Sequence, residues 1–135
     1  MYDLLLRSKP EVVAAAGAAG VTTVTLAPPA GECWIIGSAY GWHDDNAVGR
    51  DCSWTITDGV RTINSSTVAA MLQYLRWSVY AWVPDVSKDL MGSTLPLVLH
   101  HGWVVTFTVT AIGGTKIAHI DAIVYKLKGV SEFLP

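Results

Sequence analysis

His43-Asp44-Asp45-Asn46 is the tightest group of metal-competent side chains in the sequence. Hard cations such as calcium take carboxylate and amide oxygens from loops of this kind. The spacing lacks the Asp-x-Asp-x-Asp-Gly pattern of a calcium loop, and no second acidic cluster completes a shell. These residues therefore read as a polar loop that meets solvent or a partner. Serines are plentiful, but no Gly-x-Ser-x-Gly elbow occurs. Asp121 follows His119 at the spacing that puts both on one face of a strand. A Ser/His/Asp set can be drawn from such a list in most chains, so it carries little weight.

The remaining histidines, His100-His101 and His119, invite a comparison with cupins, which hold a metal with histidines inside a jelly roll. Such a site needs His-x-His and a downstream Glu on inward strand positions. Adjacent histidines point to opposite faces, and the glutamates are only Glu11, Glu32 and Glu132. The sequence thus predicts no catalytic residue, no cofactor and no metal. Cys33 and Cys52 fall in predicted strands 19 positions apart. They read as two buried free thiols, with pairing possible only if their strands are neighbours.

The aromatic content is the other anomaly, with six tryptophans and five tyrosines. Most serve a core. Exposed ones anchor protein interfaces or stack on sugar rings. Partner protein is favoured over sugar, because no single stretch collects them. Tyr40, Trp42, His43 and Trp82 are the expected contact residues of the domain, together with Leu4, Leu5 and Leu6 near the N-terminus.

These side chains must be positioned by strands. Val21 to Ile63 sets the pattern: a Thr/Val run, a Pro28-Pro29-Ala30-Gly31 turn, an apolar run from Glu32 to Trp42, a polar excursion from His43, a short run from Asp51 to Thr57, and Asp58-Gly59. This is the grammar of antiparallel β-structure. In Glu32 to Trp42, Cys33, Ile35, Gly37 and Ala39 are expected on one face, against Trp34, Ile36, Ser38, Tyr40 and Trp42. Gly37 and Gly41 mark a bulge or a close backbone approach. Asp58-Gly59 predicts a two-residue hairpin turn, followed by a strand over Val60 to Ile63 and a loop over Asn64 to Thr67. Val68 to Leu72 reads equally as helix or strand. Tyr74 to Val83 predicts a strand that puts Leu75, Trp77 and Val79 on one side. Asp85 to Thr94 reads as a loop, Leu95 to Leu99 as a short strand, and His100-His101-Gly102 as a turn. Trp103 to Ala111 alternates cleanly, with Val105, Phe107 and Val109 inward and Thr106 and Thr108 outward. Ile117 to Leu127 is the last predicted strand.

The expected fold is therefore all-β: a single-domain antiparallel β-sandwich, jelly-roll-like, of about seven or eight strands with an N-terminal arm. Residues 1–20 read as arm and linker, with a helical turn or flexible stretch at Glu11 to Gly20. Residues 21–127 form the sandwich and 128–135 a tail.

Composition narrows the function. Charged residues are only 15% and hydrophobic ones 51%, a surplus that a chain of 135 residues must cover. Net charge is −2 and no two basic residues are adjacent, which excludes nucleic-acid backbone binding as the main role. No apolar run reaches a membrane-span length. Asp3 precedes the leucine run while Arg7 and Lys9 follow it, the reverse of a secretory leader, so an unprocessed chain made in the cytoplasm is expected.

Three phrases carry a resemblance: Pro29 to Ile35 as Pro-Ala-Gly-Glu-Cys-Trp-Ile, Pro96 to Gly102 as Pro-Leu-Val-Leu-His-His-Gly, and a Gly-rich turn before the last strand. Over Val21 to Leu127 the chain resembles the small β-sandwich proteins of tailed-bacteriophage virions. The resemblance implies a non-enzymatic structural protein on the capsid surface, a decoration or cement protein. It would bind the major capsid protein and copies of itself, as a homotrimer, with no nucleic acid or membrane partner. It would be made in the host cytoplasm. The alternative is a carbohydrate-binding or receptor-binding module of a phage tail or fibre.

Overall fold

The computed structural model describes residues 9–46, 49–79 and 97–128. Among these are nine strands and no helix, so the chain is all-β with more strands than the seven or eight expected. They are β1 (Pro10–Ala16), β2 (Thr23–Leu26), β3 (Glu32–His43), β4 (Arg50–Thr57), β5 (Thr62–Met71), β6 (Trp77–Ser78), β7 (Leu97–Leu99), β8 (Val104–Val109) and β9 (Ala118–Lys128).

Two antiparallel sheets form, one in the order β1-β9-β3-β6 with β7 also pairing β3, the other in the order β2-β8-β4-β5. The pairs nest: β4 with β5, β3 with β6, β2 with β8, β1 with β9. That is one long antiparallel ribbon wrapped on itself, which is the jelly-roll arrangement of a sandwich. The wrapping adds the β3–β9 and β4–β8 pairings that close each sheet.

Alternation explains the core. Val24 and Leu26 of β2, Trp54 and Ile56 of β4, and Val105, Phe107 and Val109 of β8 are buried from one side. Ala118, Ile120, Ala122 and Val124 of β9 and Trp34, Ile36 and Ala39 of β3 meet them from the other. Trp54, Trp77 and Phe107 fill the centre, with ring centroids 5.0 Å apart for Trp54–Phe107 and 6.5 Å for Trp77–Phe107. The Trp54 indole N–H donates to the Trp77 carbonyl at 3.1 Å, so this ring is buried without stranding its polar atom.

β3 changes face midway. Ile36 pairs with Val124 but Ser38 with Ile123, so Gly37 is an extra residue in the ladder. Before this bulge Trp34 and Ile36 point inward; after it Ala39 and His43 do. The two faces expected for this strand are therefore exchanged beyond Gly37. Cys33 and Ile35 instead join Leu127, Val98 and Tyr125 in a second, smaller apolar cluster. Gly41 is the close approach: an added Cβ there would lie 2.6 Å from Cε1 of the Phe107 ring.

Other expectations need correction. Glu11 to Gly20 is neither helical turn nor linker over its first part. β1 pairs with β9 through seven registered positions, with Val13 and Ala15 packed on the core. The sheet therefore begins at Pro10, not at Val21. Partnership with β9 overrides the modest strand preference of the alanines. Asn64 to Thr67 is not a loop but the middle of β5, where Ser65 and Thr67 occupy solvent-side positions that tolerate hydroxyls. The β4–β5 turn is longer than two residues, because Thr57 pairs with Thr62. Asp58 organises it by accepting from the N–H groups of Val60 at 2.9 Å and Arg61 at 2.7 Å. Those backbone donors, Arg61 first, hold the Asp58 carboxyl below the usual range. Tyr74 lies outside any strand, at φ 64, with its N–H on the His43 carbonyl at 2.8 Å. The inward row of Trp77 and Val79 with Leu75 beside it is as expected. Leu4, Leu5, Leu6, Trp82, the loop from Asp85 to Thr94, and residues 129–135 lie outside the described residues.

Candidate functional site

The side chains with chemical potential gather on the outer face of the five-stranded sheet. On β9 the period of two puts His119, Asp121 and Ile123 outward. Register then sets each beside its neighbours: His119 opposite Ala16 and Trp42, Asp121 opposite Ala14 and Tyr40, Ile123 opposite Val12 and Ser38. The Trp42 indole N–H donates to Asp121 Oδ2 at 2.8 Å. Its ring lies flat on the His119 imidazole, centroids 3.9 Å apart and planes 5° from parallel. Tyr74, an exposed ring, tilts against the same indole at 5.9 Å. Both contacts fix the indole, and the indole fixes one oxygen of Asp121.

Beside this aromatic group runs a groove of about 380 Å³. Val12, Ile123 and Ala122 line its apolar part, and Ser38, Tyr40, Arg76 and Asp121 its polar part. Val12 is 78% exposed and Ile123 45%, so two aliphatic side chains face solvent directly across β1 and β9.

His43, Asp44 and Asp45 do structural work. His43 is fully buried. Its Nδ1 accepts from the Asp45 N–H at 3.2 Å, which places the proton on Nε2, donating to the Met71 carbonyl at 2.9 Å. Asp45, 2% exposed, accepts from Arg50 Nε at 2.9 Å and from the Gly113 N–H at 2.8 Å. Asp44 Oδ1 accepts from the Ile117 N–H at 2.8 Å. His43, Asp44 and Asp45 thus form a latch that ties the end of β3 to β4 and to the turn before β9. Their side chains are not left to solvent, and His43, fully buried, cannot be a surface contact residue.

His119 Nε2 is buried, has no hydrogen-bond partner among the described residues, and lies 3.9 Å from Asp44 Oδ2. The imidazole is held by stacking and faces outward, away from the core. His100 sits at the β7–β8 turn, 4.0 Å from Cys33 Sγ. Cys33 and Cys52 are both buried and free. Cys33 belongs to the outer cluster of one sheet and Cys52 to the core side of the other. Burial, with the neighbouring Asp51 charge added, pushes the Cys52 thiol up to about 12. It is therefore no nucleophile at neutral pH.

The four-stranded sheet presents a different outer face. Register aligns Thr25, Thr106, Thr55 and Ser65 in one row and Thr23, Thr108, Ser53 and Thr67 in the next. Neither row contains a charged residue. The buried residues between them point into the core.

Of the residues expected to meet a partner, Tyr40 lines the groove and Trp42 stands beside it, both half-buried, while His43 is interior. The others lie outside the described residues. Val12, Ser38, Arg76 and Ile123 escaped sequence reasoning. The pairing of β1 with β9 and the bulge at Gly37 bring them together, and neither shows as a local pattern. Asp121 was legible as sharing a strand face with His119, though its bond to Trp42 was not. Comparison with models of known protein families, with curated proteins and with solved structures gives no match to this chain.

Proposed function

We propose that the chain is a non-enzymatic decoration protein of a phage capsid, which seats on the assembled shell through the outer face of its four-stranded sheet. The observation that carries this reading is the pair of hydroxyl rows, Thr25–Thr106–Thr55–Ser65 and Thr23–Thr108–Ser53–Thr67. Burying charge against a partner costs desolvation, and interface centres are depleted in charged residues. These rows offer methyl groups to pack and hydroxyls that donate or accept, without an ion to strip. Ile63, 49% exposed, and Val60, 90% exposed, add apolar side chains at the β4–β5 hairpin end of the same sheet. The low charge content of the chain and its jelly-roll order, an architecture common in viral capsids, agree with it.

Stabilisation follows from linkage. A protein that binds the assembled shell and not its dissociated subunits raises shell stability, and does so further as its free concentration exceeds the dissociation constant. Repeated sites on the shell let a modest single contact suffice, more so if copies associate as trimers. The test is cosedimentation with heads of the encoding phage stripped of this protein. Wild type pellets with the heads and raises their melting temperature. Thr106→Lys and Thr55→Lys, at outer-face positions, keep the fold and lose pelleting. Wild type that stays in the supernatant sinks the reading. Sedimentation velocity checks the trimer, which a monomer both free and on heads would exclude.

A further inference from the structure

We infer that the groove on the opposite, five-stranded sheet is a binding site for a neutral saccharide. It lies across the sandwich from the hydroxyl face, so it goes beyond the decoration role and stays open when that face is covered.

The lining selects the ligand class. Asp121 and Arg76 bring one carboxylate and one guanidinium to the same groove, with the Tyr40 phenol and the Ser38 hydroxyl between β3 and β9. A phosphate or carboxylate ligand would meet Asp121, and an ammonium would meet Arg76. A wholly apolar ligand would cover these polar groups without returning their hydrogen bonds, which is costly. A ligand with several hydroxyls, each both donor and acceptor, satisfies both signs at once. Among the described residues the rest of the lining is Val12, Ile123 and Ala122, which needs a ligand with a carbon–hydrogen face. Hydroxyls on one edge and an apolar face on the other describe a pyranose. At about 380 Å³ the space is near the lower end of small-molecule sites, enough for one or two sugar units of a longer chain.

The polar end is preorganised. Asp121 Oδ2 is pinned by the Trp42 indole at 2.8 Å, and that indole is stacked on His119 and touched by the tilted ring of Tyr74. Orientation is therefore already fixed before a ligand arrives, which lowers the cost of binding. Trp42 is a positioning residue, since its ring is taken up by these two contacts. Tyr40, directly opposite Asp121 in the ladder, is the aromatic that lines the groove.

The experiment is a printed array of neutral, sialylated, phosphorylated and amino-sugar oligosaccharides, probed with the full chain. The strongest neutral hit is then titrated by calorimetry. Neutral glycans bind, and Asp121→Asn and Tyr40→Ala each weaken the titrated hit by about tenfold or more. The amide introduced by Asp121→Asn keeps an acceptor oxygen for the Trp42 indole, so the fold is retained. If Tyr40→Ala does not fold, Val12→Glu, at an exposed edge position, replaces it and gives the same loss. Thr106→Lys leaves sugar binding unchanged, which separates this site from the shell-binding face. No signal on any neutral glycan, signal confined to anionic or amino sugars, or full affinity in Asp121→Asn overturns the assignment.

Discussion

Gly41 of β3 faces Phe107 of β8 across the core so closely that a Cβ at position 41 would lie 2.6 Å from Cε1 and 2.7 Å from Cγ of the ring. Phe107 is fully buried and packed against both Trp54 and Trp77, so the ring cannot readily turn aside. The two sheets are thus spaced by a residue with no side chain. Gly41→Ala is expected to cost about 1–3 kcal/mol through overpacking. Urea denaturation measures it. Gly114→Ala, where nothing lies within 4 Å of the added atom, is the neutral control. Equal midpoints for the two variants would show that the core yields at Phe107.

Asp45 holds three parts of the chain together: its own loop, Arg50 of β4 and the Gly113 amide. Asp45→Ala leaves the half-buried Gly113 amide unpaired and a half-buried guanidinium without its partner. The expected loss is about 3 kcal/mol. The Asp44 and Asp45 side chains are already engaged by protein donors, so a chelator is expected to leave the melting temperature of the wild type unchanged. A chelator-induced drop would reassign these carboxylates to a cation.

Cys52 predicts a pH dependence whose sign is fixed. Its thiol is raised in the folded state to about 12, by burial and then by Asp51, from an ordinary value of 9.0. Well below pH 9.0 both folded and unfolded chains keep the proton, and the site is indifferent to pH. Above it the unfolded thiol ionises first, so stability falls as pH rises from about 9 towards 12. Cys52→Ala should lose less stability than wild type between about pH 8 and about pH 10.5, read as the slope of unfolding free energy. Thiol reagents should label Cys52 only on unfolding. Rapid labelling of this residue in the native protein at about pH 8 would contradict the burial.

Asp58 carries the opposite sign. Its carboxyl is lowered by the Arg61 and Val60 amides, so its contribution is present above the usual carboxylate range and is lost as pH falls through the lowered value. Asp58→Ala should lower the urea midpoint at about pH 7 and leave it nearly unaltered at about pH 2. Equal effects at both pH values would mean that the side chain serves packing alone.

Strands whose two faces differ sharply were legible. Val104 to Val109 alternates Val and Phe with Thr, and its inward row is the buried row. The glycines of β3 were legible as special positions, but not which was which. Gly37 inserts an extra residue and exchanges the faces, while Gly41 admits Phe107. A period of two cannot report a bulge, so simple alternation reverses the two faces of β3 after Gly37. β5 was hidden for another reason: the run from position 64 to 67 resembles loop composition, yet Ser65 and Thr67 fall on the solvent side of the strand, where hydroxyls cost little. The groove draws on positions 12, 38, 40, 76, 121 and 123, which only the nested strand pairing brings together.

The N-terminal strand gives the last prediction. Val12 and Val13 are adjacent and chemically identical, so a linker would treat them alike. In β1 they point to opposite sides: Val12 is 78% exposed and pairs with Ile123, while Val13 pairs with Ala122 and packs on the core. Val12→Asp is therefore expected to leave the midpoint of urea unfolding within about 0.5 kcal/mol of wild type. Val13→Asp presses a carboxylate with no partner against the core cluster and should cost more than about 1.5 kcal/mol. Removing residues 1–17 takes away the whole strand and exposes the backbone edge of β9, and should destabilise at least as much as Val13→Asp. Equal and small effects of the two aspartates would show that β1 does not dock in solution, and would return Pro10 to Ala16 to the role of a free arm.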